Sequence, residues 1–395
     1  MAGPVQPALG GPPPPAWRPA WAEVDLGAVA TNVAFLAERS APAAVCAVVK
    51  ADGYGHGATA VARAALGAGA TWLAVALVEE GLALRDDGID APVLLLSEPP
   101  AGAMGAVAAA RLTPTLYTEA GVAAAADAVG TRRAPMGAHL KVDTGMHRVG
   151  ADPGDVPALA KAVRAAPGLR LDGLWTHLAV ADDPGEDAFT TAQLARFEEV
   201  RDALAADGSV PGLLHAANSA GALAHPGARY DLVRCGIAVY GHSPRPGAVR
   251  AGDLRPALSL RARVSLVRTL DAGERLSYGR RYAVPAPRSV VATVPLGYAD
   301  GVTRRLGELG AEVLVGGRRR PVAGTVTMDQ LMVDCGPDAP VAPGDEVVLL
   351  GRQGDEEIRA DEWAGRLGTI TYEVLCGIGP RVPRVVIPAS GADAP

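Results

Sequence analysis

The feature that most constrains the fold is an alternation, repeated after Trp21, of short apolar runs with alanine-rich stretches. Short apolar runs predict β-strands and the alanine-rich stretches predict helices, a pattern typical of parallel sheets and barrels. Eight such runs can be counted, the number of strands that a closed (β/α)8 barrel of the TIM type needs. The predicted strands cover residues 44–50, 73–77, 92–97, 115–117, 138–143, 173–177, 213–217 and 232–237.

The pattern changes beyond about Arg255. Apolar or alternating runs are separated there by Gly, Pro and Asp turns, and long helices largely disappear, apart from one predicted near 360–367. This predicts a second, mainly β domain over residues 255–395. The barrel is predicted over 17–254, although a strand-like segment at 21–25 could join the β domain instead. Residues 1–16 form a proline-rich extension that we expect to be disordered.

Composition excludes several function classes. The net charge is −6 and the arginines are scattered, so no basic run predicts a nucleic-acid partner. No apolar stretch approaches the roughly 20 residues that cross a bilayer, and the first fifteen residues lack the charged and apolar regions of a signal peptide. The four cysteines show no CxxC spacing, which predicts neither a metal site nor a disulfide framework. We therefore expect a cytoplasmic protein.

Lysine is rare in this chain, which uses arginine almost everywhere a cation suffices. Only Lys50, Lys141 and Lys161 are lysine among 37 basic residues. An amine can lose its proton and form a Schiff base, which a guanidinium does not do under ordinary conditions. Lys50 ends a predicted buried strand, and burial there should disfavour the ammonium form. The sequence therefore predicts that Lys50 is the nucleophile for an aldehyde cofactor.

Other polar residues also stand where predicted strands end. They are Asp143 followed by Arg148, His177, Asn218 with Ser219, and Arg234. In (β/α)8 barrels the active site lies at the carboxyl ends of the strands. Each residue alone could be an ordinary strand cap, but together they predict one active site at that end of the barrel.

The string AVVKADGYGHG, residues 47–57, closely resembles the lysine signature of the alanine racemase family. Similar segments follow in the family's order and cover nearly all of the chain after the N-terminal extension. The resemblance implies an enzyme in which Lys50 carries pyridoxal phosphate and Tyr54 contacts the phosphate. It also implies that Arg148 bonds the cofactor's phenolic oxygen and contacts the substrate. Lys141 resembles a lysine that is often carbamylated, and a carbamate would make it an anionic partner for Arg148.

Three more segments resemble the family's cofactor site. By this resemblance His177 packs against the cofactor ring and Arg234 faces the ring nitrogen. A permanently charged arginine would leave that nitrogen unprotonated, which makes the cofactor a weaker electron sink. The resemblance further implies phosphate or other cofactor contacts from Asn218, Ser219, Gly236, Ile237 and Tyr372.

A racemase needs proton-transfer groups on both faces of the α-carbon, because a proton removed from one face must return on the other. The resemblance implies that Lys50 serves one face and that Tyr278, contributed by the other subunit of a homodimer with shared active sites, serves the other. Tyr298 and Met328 are implied to contact the substrate and narrow its entrance, which would exclude bulky side chains. Where the family commonly has an arginine before the Met328 motif, this chain has Thr325, which bears on how strictly the substrate is chosen.

The resemblance implies that the chain interconverts L- and D-alanine and supplies D-alanine for peptidoglycan. Three alternatives remain open. The first is a racemase for another small amino acid such as serine, built from the same groups. The second is a barrel decarboxylase of related fold, whose expected glycine-rich phosphate loop and substrate-binding acid are not found in the sequence. The third is a non-catalytic pyridoxal-phosphate-binding protein, which would lack the β domain that carries Tyr278.

Overall fold

The computed structural model describes residues 17–130 and 135–388, so the predicted extension over 1–16 lies outside the described residues. The chain divides into two compact units. Among the described residues, the barrel unit covers Gly27–Arg255, and the β unit combines residues 17–26 with residues 256–388. Each unit is described by itself.

The barrel unit alternates strands and helices in the predicted way. In chain order the structure begins with strand β1 (Ala20–Asp25), which belongs to the β unit, and helix α1 (Leu26–Ser40). The strands of the barrel that the structure describes are β2 (Ala44–Val48), β3 (Ala70–Val75), β4 (Val93–Leu95), β5 (Thr115–Leu116), β6 (Met136–Lys141), β7 (Leu169–Trp175), β8 (Leu213–His215) and β9 (Leu232–Cys235). The helices that follow α1 are α2 (Lys50–Tyr54), α3 (Ala58–Gly67), α4 (Val78–Asp86), α5 (Met104–Ala109), α6 (Glu119–Val129), α7 (Val156–Ala165), α8 (Asp187–Ala206) and α9 (Ser219–Ala224).

Two parallel sheets close into the barrel. Their strand orders are β4-β3-β2-β9 and β5-β6-β7-β8. A parallel bridge between Leu94 and Thr113 joins the sheets on one side. On the other side the Arg234 N–H donates to the carbonyl oxygen of Ala217 at 3.0 Å. The prediction of a (β/α)8 barrel is confirmed, with each predicted run containing or overlapping a strand.

Helices cover the barrel with amphipathic faces, as α7 illustrates. Its buried residues Val156, Leu159, Ala160 and Val163 follow the i, i+3, i+4, i+7 spacing of one helical face. Inside the barrel, by contrast, several buried residues are polar or aromatic, namely His139, Lys141, Trp175, His215 and Arg234. Buried polar groups need hydrogen-bond partners, so the barrel interior is a place where side chains hold one another in fixed orientations.

The β unit is built on a large mixed sheet. Its further strands are β10 (Leu258–Arg263), β11 (Leu266–Leu270), β12 (Arg275–Leu276), β13 (Tyr282–Ala283), β14 (Ser289–Val294), β15 (Glu312–Val315), β16 (Arg318–Pro321), β17 (Leu331–Pro337), β18 (Glu346–Gln353), β19 (Glu356–Ile358) and β20 (Arg384–Ile387). The main sheet has the order β16-β15-β18-β10-β1-β20, and β19 pairs with β18. β1 pairs antiparallel with β10 and parallel with β20, so this strand, whose placement the sequence left open, lies in the β unit. A mainly β C-terminal domain is thereby confirmed.

The described part of the β unit also contains the α-helices α10 (Ala360–Leu367) and α11 (Thr371–Cys376) and an ion-pair network. Helix α10 coincides with the predicted helix, whereas α11 was not predicted as a helix. The guanidinium of Arg319 bonds the carboxylates of Glu312, Glu356 and Glu362, which joins β15, β16, β19 and α10. In the described part of the chain, no helix is both long and apolar enough to cross a bilayer.

Candidate active site

Lys50 follows strand β2, with Val49 between them, and begins the short element α2, which is a strained turn and not a regular α-helix. The next four residues, Ala51 to Tyr54, have φ angles of 52°, 51°, 61° and 53°, which is the left-handed region. Left-handed backbone costs roughly 1–2 kcal/mol at each residue with a Cβ. Strain of this kind persists where the surrounding structure determines the conformation, and it is concentrated at functional sites. We call residues 51–54 the left-handed turn. The predicted strand at 44–50 is therefore shorter than expected, because the chain leaves the sheet after Val48.

Tyr54, Ser219 and Gly236 form a small polar cradle. The Ser219 Oγ accepts hydrogen bonds from the N–H groups of Gly236 at 2.9 Å and Ala238 at 3.4 Å. With its lone pairs occupied, this hydroxyl has its proton left to donate. A Cβ added at Gly236 would collide with the Tyr54 hydroxyl, so only glycine allows the phenol to lie this close to the backbone. Ile237, beside them, is buried.

Asn218 supports this cradle rather than taking part in it directly. Its side chain accepts the Gly221 N–H at 2.9 Å as the N-cap of α9, and donates to the carbonyl oxygen of Leu178 at 3.3 Å. These bonds anchor the residue that precedes Ser219. The predicted cofactor contact at Asn218 therefore stays a prediction, whereas its role in placing Ser219 follows from its hydrogen bonds.

Arg234 is buried in the barrel among neutral acceptors. Its Nη2 donates to the carbonyl oxygens of Thr176 at 2.7 Å and Ala216 at 3.0 Å, and its Nη1 lies 2.8 Å from the Nδ1 of His215. An arginine only donates, so His215 Nδ1 must be the acceptor and its proton must sit on Nε2. That nitrogen lies 2.9 Å from His139 Nδ1. The two histidines therefore form a directed chain of hydrogen bonds, in which the guanidinium donates to His215 and the His215 Nε2–H donates to His139 Nδ1.

This arrangement keeps both histidines neutral and the arginine charged. Burial lowers the pKa of His139 to about 4, and burial with the charge of Arg234 lowers the pKa of His215 well below its usual value. Burial also lowers the pKa of Arg234 to about 10, which still leaves the guanidinium protonated at neutral pH. Neutral acceptors hold this cation in place without cancelling its charge.

Positive charges gather at the carboxyl ends of the strands. Burial, followed by the charges of Arg234 and Arg148, lowers the pKa of Lys141 to about 7. Burial and the same cations, with Lys141 itself, lower the pKa of His177 well below its usual value. His177 Nδ1 lies 3.3 Å from Arg234 Nη2. The structure thus brings Lys50, Lys141, Arg148, His177 and Arg234 into one electrostatic group.

The residues present fit an anionic cofactor such as pyridoxal phosphate. A phosphate dianion matches the hydroxyl donors of Tyr54 and Ser219, and the surrounding cations favour negative charge. Arg234 offers a charged donor held in a fixed orientation, and Lys50 offers an amine beside them. Among the described residues, no group of His, Cys, Asp or Glu side chains could hold a metal ion.

The remaining predicted site residues lie in the β unit. Tyr278 is 71% exposed on a short turn, and Met328 and Tyr298 are 53% and 42% exposed. The N–H of Tyr298 donates to the carbonyl oxygen of Thr327 at 3.0 Å, which places Tyr298 beside the Met328 segment. Tyr278 lines a surface cavity of about 380 Å³ with Ser277, Thr327, Gln330 and Met332. Tyr372 is the second residue of α11 and is half-buried.

Thr325, the departure from the family pattern, lies against the predicted second base. Its side chain is buried, and its hydroxyl donates to the carbonyl oxygen of Tyr278 at 3.2 Å. The Ser277 hydroxyl in turn donates to the carbonyl oxygen of Thr325 at 2.6 Å. The structure therefore gives Thr325 a part in shaping the Tyr278 turn.

The sequence analysis did not identify the buried residues inside the barrel that contact the predicted site residues. Trp175 stacks under two basic side chains, with Lys141 Nζ at 4.3 Å and Arg234 Cζ at 4.4 Å from its ring centre. His139 and His215 were also missed. The signal available was a histidine within an apolar barrel strand in each case, but pairing them requires knowing that β6 and β8 face the same interior.

The chain is similar to known alanine racemases over both units. Residues 24–244 match the family model of the alanine racemase N-terminal domain, and residues 257–386 match that of the C-terminal domain. An alanine racemase from Symbiobacterium thermophilum is 50% identical over 368 residues, covering 93% of this chain and 97% of that protein. One from Thermobifida fusca is 46% identical and covers 92% of this chain and 97% of that protein.

Solved structures of the same kind superpose closely. Alanine racemase from Streptomyces coelicolor has a TM-score of 0.87 at 42% identity, with 93% of this chain and 98% of that chain covered. Alanine racemase from Bacillus anthracis, solved with bound L-Ala-P, has a TM-score of 0.87 at 39% identity, with 95% and 96% covered. With both domain models matched in order and close relatives over nearly its full length, the chain belongs to the alanine racemase family.

Proposed function

We propose that this chain interconverts L- and D-alanine with pyridoxal phosphate, and that Lys50 and Tyr278 move the α-proton on opposite faces. Alanine racemases are pyridoxal-phosphate-dependent isomerases, and membership of the family carries the reaction class. The observation that supports the residue assignment is the grouping of Lys50, the Tyr54–Ser219 cradle and Arg234 at one end of the barrel. Supply of D-alanine for peptidoglycan and a cytoplasmic location are parts of this proposal.

Pyridoxal phosphate, when bound, supplies an electron-withdrawing ring that acidifies the α-hydrogen of the attached amino acid. Tyr54 and Ser219 bind the phosphate with their hydroxyls, and Gly236 and Ile237 contribute backbone at the same place. His177 packs against the ring, and Tyr372 makes a further cofactor contact. Arg234, charged and held by neutral acceptors, would donate to the ring nitrogen while keeping its own proton.

Two side chains then transfer the α-proton of alanine. Lys50 would hold the cofactor through its amine and would exchange the α-proton of D-alanine. The partner subunit's Tyr278 exchanges the α-proton of L-alanine from the opposite face. A proton taken by one group must be returned by the other for inversion to occur, so both groups are needed for turnover.

The assembly in this proposal is a symmetric dimer with two shared sites. Its support is the exposure of Tyr278 and Met328 in the β unit, since large apolar side chains on a surface mark interaction sites when they cluster. Tyr298 and Met328 narrow the substrate entrance and exclude bulky side chains. Alanine is therefore favoured over larger amino acids by size.

The proposal also includes carbamylation of the Lys141 amine. A buried amine whose pKa is about 7 is substantially neutral at physiological pH, and a neutral amine can add CO2 and release a proton. The resulting carbamate is an anion, so Lys141 would attract Arg148 instead of repelling it. Arg148 would then be held in the orientation that binds the cofactor's phenolic oxygen and the substrate.

The first test concerns Lys50. We expect Lys50→Ala to lower racemisation about 10³-fold or more in a chiral assay across alanine, serine and larger amino acids, because anchor and base are lost together. Borohydride reduction followed by peptide mapping should find the cofactor on Lys50 in the unaltered protein. The exposed Lys161→Ala is the matched control and should behave as the unaltered protein does. Cofactor fixed elsewhere, or serine preferred over alanine, would contradict the proposal.

The second test concerns Tyr278. We expect Tyr278→Phe to slow exchange of the α-hydrogen of L-alanine with deuterated solvent by about 10²-fold or more, and that of D-alanine much less, because Lys50 remains. Tyr282→Phe removes a hydroxyl from the same unit, one bonded to Asp334 at 2.7 Å, and should leave both exchange rates near those of the unaltered protein. Equal loss from both enantiomers would exclude the assignment of one face to each residue.

A further inference from the structure

Glu80 connects the backbone beside Lys50 to the start of helix α4. Its Oε1 accepts the N–H of Ala51 at 2.6 Å. Its Oε2 accepts the N–H groups of Ala76 at 2.8 Å and Leu77 at 3.0 Å, where α4 begins. One carboxylate therefore joins the residue after Lys50 to a segment that follows strand β3.

The left-handed turn needs such a connection. Ala51 and Asp52 both carry a Cβ in a conformation that L-residues disfavour. At the end of the turn, Asp52 Oδ1 accepts the N–H of Ala58 at 2.9 Å, which fixes the exit into α3. At the beginning of the turn, the corresponding bond is the one that Glu80 accepts from the Ala51 N–H. Because hydrogen bonds to an ionised acceptor are stronger than neutral ones, the carboxylate is well suited to holding a strained backbone.

We propose that Glu80 is a positioning residue for Lys50, which rests on the role proposed above for that lysine. Strand pairing holds one side of Lys50, since the Val49 N–H donates to the carbonyl oxygen of Ala74 at 2.9 Å. Glu80 holds the other side through Ala51. With both neighbours fixed, the direction in which the Lys50 side chain leaves the backbone is fixed as well. A displacement of about 1 Å in a reacting group can slow a reaction about 10²-fold.

A simpler role for Glu80 is to cap α4. A carboxylate in the first turn of a helix satisfies free N–H groups and favours the helix dipole, whatever happens at Lys50. Capping alone predicts that loss of Glu80 changes the stability of α4 and leaves the left-handed turn unchanged. The two roles can therefore be separated by measurements at Ala51 and at α4.

Three substitutions distinguish a role in positioning Lys50 from a role in capping α4. Glu80→Gln keeps the length, but its one acceptor oxygen cannot serve Ala51 and the α4 amides together. Glu80→Asp keeps the charge and a helix-capping carboxylate but is one methylene shorter, so it cannot span both sides. Glu79→Gln is the matched control, because Glu79 is exposed in the same helical turn and its substitution removes the same charge.

The first measurement is hydrogen–deuterium exchange of the protein without cofactor. We expect Glu80→Gln and Glu80→Asp to raise the exchange rate of the Ala51 amide and its turn about tenfold, the effect of losing one charge-assisted hydrogen bond. Glu79→Gln should leave that rate unchanged. If exchange rose only at Ala76, Leu77 and α4 in the Glu80 variants, Glu80 would be a helix cap and the proposal would be overturned.

The second measurement is the rate at which the same proteins attach pyridoxal phosphate, followed by absorbance and by peptide mapping after reduction. We expect attachment at Lys50 to slow about tenfold in both Glu80 variants relative to Glu79→Gln. Equal rates in all variants would overturn the proposal while leaving Lys50 as the anchor. Failure of the unaltered protein to attach the cofactor at Lys50 would instead overturn the proposed function.

Discussion

At the scale of single residues, Lys141 makes the stability of the protein depend on pH. The pKa of its amine is about 7 in the folded chain against 10.5 as the ordinary value, chiefly because it is buried. Between these values the unfolded chain binds a proton that the folded chain does not. Stability must therefore rise with pH from about 7 towards 10.5, with a slope of at most about 1.4 kcal/mol per pH unit.

We expect this slope in CO2-free buffer for the unaltered protein and not for Lys141→Met, which keeps the length of the side chain without its charge. Denaturant unfolding at pH 7, 8 and 9 measures it, and the exposed Lys161→Met is the control that should keep the slope. Added bicarbonate should stabilise the unaltered protein but not Lys141→Met, because CO2 binds the folded amine. Parallel pH curves for all three proteins would show that Lys141 is not buried as an amine.

At the scale of strands and helices, the carboxyl end of the barrel shows which features of the fold and site the sequence could predict. Lys50 and Tyr54 could be predicted as site residues because one local string holds them both, and the eight strands could be predicted because each contains a short apolar run. The predicted ends of the strands were less accurate than their predicted number and order. β4 spans Val93–Leu95 where 92–97 was predicted; the apolar run includes Leu96, whose N–H still donates to the carbonyl oxygen of Val75 at 2.9 Å although the strand ends one residue earlier.

The supporting contacts could not be predicted because they join distant parts of the chain. Glu80 reaches a backbone amide 29 positions away, and His139 lies 76 positions from His215. No local pattern encodes these pairs, because each depends on which strands become neighbours around the barrel. Thr325 is a similar case. Its difference from the family was visible in the sequence, but its bond to the Tyr278 carbonyl 47 positions away was not.

At the scale of the whole molecule, the proposed function needs two chains. The barrel unit carries most of the proposed cofactor residues, and the β unit carries an exposed tyrosine, Tyr278, which is the proposed second base. If each site combines Lys50 of one subunit with the partner subunit's Tyr278, two inactive variants should restore activity when they pair in a mixed dimer. In a dimer of one Lys50→Ala chain and one Tyr278→Phe chain, one site lacks both groups and the other keeps both.

We therefore expect mixtures of the two variants to regain activity after subunit exchange. Equal amounts give about half mixed dimers by random pairing, each with one complete site of two, so activity should reach about a quarter of that of the unaltered enzyme. The chiral assay measures it, with dilution and remixing to promote exchange. Pairing Lys50→Ala with the double variant Lys50→Ala, Tyr278→Phe is the control, since no complete site can form. If both groups came from one chain, no mixture of the two single variants would contain a complete site, and activity that stays at the level of the separate variants would reject the shared dimer.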